Sequence, residues 1–160
     1  VSTRSDRLAI RSWSDLNCFN NRNPDTDDSG ASLFYIRESV FDLNGDNGLT
    51  RTCRYGPSID ALTTQIRRQG FIQGIESFQL LFGQDSDQDG VIDGWVKAGD
   101  WADSAAVLGI RIGLLLSSLE SVAEKEASTY RVLDRSLTKP ADGKMRRVTQ
   151  FTSAIRGRTG

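Results

Sequence analysis

Asp85, Asp87, Asp89 and Asp93 crowd the stretch QDSDQDGVIDGW, residues 84–95, with Gly90 in the middle. Carboxylates on alternate residues of a bend converge on one point, and oxygen donors of that kind suit a hard divalent cation, calcium before zinc or copper. The order Asp85-x-Asp87-x-Asp89-Gly90-x-Ile92-Asp93 reproduces the first nine places of an EF-hand type calcium loop. In that pattern glycine permits the sharp turn, and the carbonyl of the residue after it, here Val91, supplies a further oxygen. Ile92 is placed to anchor the loop in the core. The twelfth place is Val96 rather than a bidentate glutamate; Asp100 or Asp103 could fold back to complete the shell. Without such a carboxylate the affinity falls to the order of 10⁻⁴ to 10⁻³ M. The competing reading is an acidic turn whose charges are merely solvated and whose mutual repulsion loosens it.

Two fainter echoes lack the later ligands. DTDDSG offers Asp25, Asp27, Ser29 and Gly30, and reads as a polar loop; DLNGDNG offers Asp42, Asn44 and Asp46, and reads as a hairpin turn. The chain has no histidine, which removes the usual general base near neutral pH, the Ser-His-Asp arrangement and any histidine-ligated zinc site. No carboxylate pair is set apart by an apolar setting, so hydrolysis by paired acids is disfavoured as well. The expectation is a protein that is not an enzyme. Cys18 and Cys53 lie in polar stretches without CxxC spacing, a poor zinc or redox site. In an exported protein they form a disulfide; otherwise they are two packed thiols. Trp95 and Trp101 bracket the exit of the acidic loop, either as packing aromatics or as a platform for a carbohydrate or other surface ligand.

The elements that must position these residues are mainly strands. VLGIRIGLLLSS, residues 107–118, alternates with a period of two, placing Leu108, Ile110, Ile112, Leu114 and Leu116 on one side and Arg111 on the other, outward side. Burial of those five would contribute about 7 to 15 kcal/mol as an upper estimate. GIESFQLLFG puts Phe78, Leu80 and Phe82 on one face, and VIDGWVKAG continues as a strand after the acidic loop. Leu33 to Tyr55 reads as a β-hairpin around two Asn-Gly pairs. TYRVLD and RRVTQFTSAIR read as shorter strands, the latter alternatively as a terminal helix. Helix is expected over SIDALTTQIRRQ, residues 58–69, capped by Ser58 or Asp60, and over LESVAEKEAS, residues 119–128. The fold class is α+β: a mostly antiparallel β-sheet domain with minor helix.

At 160 residues and 38% hydrophobic content the chain suits a single globular domain over residues 1–160. A net charge of −1 argues against nucleic-acid contact. Seven acids against Lys97 between Glu76 and Asp103, and eight bases against Asp134 and Asp142 between Arg131 and Arg158, favour head-to-tail contacts with copies or relatives of the chain. No apolar run reaches the roughly 18–20 residues of a membrane span.

DLNC, SLFYIRES, the second cysteine in LTRTCRYG, GIESFQLLFGQDSDQDGVIDGW, VLGIRIGLLLSS and KMRRVTQFTSAIRGR together resemble the globular domain of PilW-type minor pilins of type IV pili. The resemblance runs from about Asp15 to Arg158, and the order of parts is more remotely similar to GspJ-type minor pseudopilins of type II secretion. It implies a cleaved leader and a hydrophobic N-terminal helix that anchors such proteins in the inner membrane; that helix is absent from these residues, so the sequence is expected to be part of a longer protein that carries it. It implies a structural role in a priming complex with other minor pilins, the major pilin and a tip adhesin. The location implied is the periplasmic face of the inner membrane of a Gram-negative bacterium, then the extracellular pilus near its tip. Calcium at Asp85, Asp87, Asp89, Val91, Asp93 and Asp100 would be architectural. The competing class is a calcium-stabilised binding module using Trp95 and Trp101.

Overall fold

The computed structural model describes residues 5–122 and 126–155. They fall into two compact units, one of Arg7–Gln73 and one of Val1–Asp6 with Gly74–Gly160. Each is built around its own four-stranded antiparallel sheet.

In the Arg7–Gln73 unit the strands β1 (Leu8–Ser14), β2 (Tyr35–Leu43), β3 (Leu49–Gly56) and β4 (Thr63–Ile72) lie in chain order across the sheet. The hairpin read from the two Asn-Gly pairs is present, with Leu43 opposite Leu49. Its turn closes as the Asn44 side chain accepts amides from Asp46 at 3.0 Å and Gly48 at 2.7 Å, the self-capping for which asparagine is favoured in turns. Cys18 and Cys53 are joined in a disulfide with Cα atoms 5.9 Å apart. The bridge fastens the irregular segment after β1 to β3, and with Tyr55, Tyr35 and Ile66 it forms the unit's apolar cluster. Closing a loop across 35 residues of separation stabilises by about 4 kcal/mol through the unfolded chain. Glu38 is fully buried on the sheet, yet ion-paired to Arg11 at 2.6 Å and to Arg54.

The helix expected over residues 58–69 is not there. A single 3-10 turn, Ile59–Ala61, is followed at once by β4. Ser58 makes no side-chain cap, and the β-branched Thr63, Thr64 and Ile66 are weak helix formers that pair instead with Tyr55, Arg54 and Cys53 of β3. Sheet pairing overrides the helical spacing, and β4 carries the mismatch as register shifts, with Arg68 at a positive φ of 47°.

In the Gly74–Gly160 unit the order is β10-β7-β5-β6, with β5 (Ile75–Gln84), β6 (Gly94–Val96), β7 (Val107–Ser117) and β10 (Arg146–Ala154). A separate hairpin, β8 (Ser128–Val132) and β9 (Arg135–Lys139), turns at Leu133-Asp134. The strand expected over 91–99 shrinks to three residues, because 91–93 complete the preceding bend. The C-terminal segment is a strand, not a helix. Of the helix expected over residues 119–128, the described residues 119–122 and 126–128 are not helical, and residues 123–125 lie outside the described residues. Minor helix is thus confined, among the described residues, to Ile59–Ala61 and a second 3-10 turn, Ser104–Ala106.

The core of β7 also differs from expectation. Leu108 is buried, but Ile110, Ile112, Leu114 and Leu116 are only half-buried, whereas Leu115 on the opposite face is completely buried against Val132 and Leu137. The reason is glycine: a Cβ on Gly113 would stand 2.7 Å from Leu133 Cγ and 2.9 Å from Val132 Cγ1. The β8–β9 hairpin packs into the space a side chain would occupy. Beneath it Glu76 is held by Arg146 at 2.9 Å and Lys139 at 3.3 Å, and Arg146 also reaches Asp142 at 2.5 Å, tying β5, β9 and the start of β10.

Candidate metal centre

The acidic bend begins where β5 ends. Asp85 is 5% exposed, and its amide is held by the Ala106 carbonyl at 2.9 Å. Its carboxylate organises the bend: Oδ1 accepts the amides of Gln88 at 2.7 Å and Asp89 at 3.2 Å, and Oδ2 accepts that of Gly90 at 2.9 Å. A carboxylate has about four lone-pair sites, so Asp85 keeps acceptor capacity beyond these three. Gly90 takes φ 87° and Gln88 φ 65°, the left-handed conformation that the expected sharp turn demands and that glycine adopts without penalty.

The bend brings Asp85, Asp87 and Asp89 together, each offering a carboxylate oxygen within 4.8 Å of the others. Asp87 and Asp89 are exposed, Asp89 steadied by the Val91 amide on its Oδ1 at 2.8 Å. The Asp89 amide draws the Asp87 carboxyl downward, but the charges of Asp89, Asp93 and Asp85 prevail and hold it above the ordinary carboxylate value. Like charges crowded in this way disfavour the ionised form of one another. Asp93 is not among the three; its Oδ2 accepts the Ser86 amide at 2.6 Å, bracing the bend from its far side. Asp100 lies outside the group in an exposed turn, and Asp103 caps Ser104–Ala106 by accepting the Ala105 amide at 2.8 Å. Val91 has an exposed side chain.

The bend is seated through Ile92, as expected, although what receives it was not foreseen. Gly83 and Gly109 face each other across β5 and β7. A Cβ on Gly83 would lie 2.6 Å from Ile92 Cδ1, and one on Gly109 would lie 3.0 Å from the same atom. Two glycines therefore form a socket for the loop's one anchoring side chain; a glycine pair within otherwise apolar strands was the available signal. DTDDSG is a self-satisfied turn: Asp27 Oδ1 accepts from the Ser29 hydroxyl at 2.6 Å and from the amides of Ser29 and Ala31, and the hydroxyl bond with those amides keeps the Asp27 carboxyl below its usual value.

The chain matches the model of a family described as Type IV Pilus-assembly protein W, PilW, over residues 34–157. It belongs to the PilW family. The match takes in the acidic bend and Cys53, while Cys18 lies ahead of it. No curated protein and no solved structure matches the chain significantly. Membership makes this PilW chain a protein of type IV pilus assembly, located at the cell envelope or in the pilus, among other pilus components. No helix among its described residues is long and apolar enough to cross a membrane. The two tryptophans that bracket the acidic bend are engaged in packing in the PilW chain: Trp101 meets Phe82 edge-on with ring centroids 5.0 Å apart, and Trp95 lies under the Arg111 guanidinium at 3.9 Å. Arg111, expected to reach outward, lies half-buried over the Trp95 ring.

Proposed function

We propose that this chain is a structural minor pilin of the complex that primes type IV pilus assembly and stays near the fibre tip, with one structural calcium ion bound at its acidic bend. The observation that carries the role is the PilW match across most of the globular chain. The observation that supports calcium is the convergence of Asp85, Asp87 and Asp89. Those three would supply the first oxygens, and the Val91 carbonyl, Asp93 and Asp100 are the proposed sources for the rest. The ion would neutralise the crowded carboxylates and hold Ile92 in its glycine socket, so that β6 keeps its register on β5. The role is architectural. Its site would load after export, where calcium is plentiful relative to an affinity on the order of 10⁻⁴ to 10⁻³ M.

Co-purification tests the assignment. The chain, carrying whatever N-terminal segment its gene supplies, is expected to bring down other minor pilins from the envelope, more of them with calcium than with a chelator. Recovery of none under either condition would refute the priming role.

A further inference from the structure

On the same sheet, apart from the acidic bend, Leu81, Arg111, Arg131, Leu133, Asp134 and Gln150 line an open groove of about 420 Å³, within the size range of small-ligand sites. The geometry points to this groove as a binding site for a single carboxylate carried on an apolar or extended stem. Arg111 is the centre of the argument. Its guanidinium is fixed on one face by Trp95 at 3.9 Å, and its Nε donates to Thr152 Oγ1 at 3.4 Å. Among the described residues no carboxylate pairs with it. A half-buried arginine, oriented by stacking and left without a counter-ion, presents its terminal nitrogens as a ready fork for a carboxylate. Arg131 also lines the groove, its Nε donating to the Leu133 carbonyl at 3.3 Å, and it too lacks an acidic partner among the described residues.

The walls narrow the ligand class. Leu81 and Leu133 offer apolar surface for a stem, and Gln150 offers an amide. Asp134 brings a negative charge to the rim, tied to Lys97 at 3.0 Å, which favours a monoanion over a doubly charged phosphate. Leu133 adopts φ 53° as the first residue of the two-residue β8–β9 turn, a geometry that such hairpin turns require. The tip is seated by Leu133 and Val132 packing closely over Gly113. The proposal stands independently of calcium.

Binding is read by NMR on the folded chain, following the Trp95 indole N–H, with butyrate as the free acid and a blocked Ala-Glu-Ala peptide as the chain-borne one. Butyramide, the glutamine peptide and inorganic phosphate serve as controls. Butyrate, the glutamate peptide or both should move the Trp95 signal saturably, and the neutral counterparts should not. A response to the peptide alone identifies the source as an acidic chain segment, and a response to butyrate alone identifies it as a free acid. The exposed-site variant Arg131→Gln should weaken binding at least tenfold, Arg131→Lys less, and Arg111→Gln should abolish it. No response to either carboxylate, an equal response to the amides, or a response to phosphate alone overturns the proposal.

Discussion

At Arg146 one guanidinium, 3% exposed, is shared between Glu76, itself 6% exposed, and Asp142. Both acids hold it more firmly protonated than a free arginine. Removing one partner of a buried pair leaves the other charge desolvated, so Arg146→Met should destabilise by roughly 3–5 kcal/mol in chemical denaturation. Burial alone would raise the Glu76 carboxyl, but Arg146 and Lys139 outweigh it and depress it below its ordinary value of 4.5; Glu38 behaves likewise between Arg11 and Arg54. Carboxyls with depressed folded-state values add stability that is full above 4.5 and is lost as pH falls through the depressed values. Acid titration of stability should therefore show a decline beginning below about 4.5, and Glu76→Gln should flatten part of it. Residue chemistry was partly legible in advance. The meeting of Asp85, Asp87 and Asp89 could be read because it is local: alternate side chains and a glycine suffice. The diversion of Asp93 to the Ser86 amide could not, because it depends on how the bend closes.

Glycine decides the packing of the elements more than hydrophobic periodicity does. The alternation along residues 107–118 showed the strand but mistook its more buried face, since two of the residues marking that face are glycines whose contribution is the approach they allow to Ile92, Val132 and Leu133. Gly113→Ala should destabilise by about 1–3 kcal/mol, as an overpacked contact does, measured by denaturant unfolding; no loss would mean that the β8–β9 hairpin does not sit in that socket. The hairpin of β2 and β3 was legible because its Asn-Gly turns are local signals. β4 was not, because SIDALTTQIRRQ has a helix-compatible spacing and only the partner β3 converts it into a strand. β9 follows a Leu-Asp turn with no glycine to announce it, and β1 is an edge strand whose exposed Ile10 and Trp13 disguise its pattern.

Across the whole molecule, the separation of acidic and basic stretches along the chain is partly cancelled by folding. Glu76 is met by Lys139 and Arg146, and Lys97 by Asp134, so the charge expected to drive head-to-tail contacts is reduced. What stays concentrated is the acidic bend, and the account depends on calcium binding there. Thermal unfolding with and without calcium measures this most directly, comparing the native chain with the double variant Asp87→Ala/Asp89→Ala. At a calcium concentration ten times Kd, binding to the native chain should add about 1.4 kcal/mol, a rise of roughly 3–6 °C in Tm for a protein of this size. The double variant should show no rise, and without calcium it should melt no lower than the native chain, because the crowding around Asp87 is gone. An equal rise in both proteins, or none in the native chain at millimolar calcium, would contradict the account.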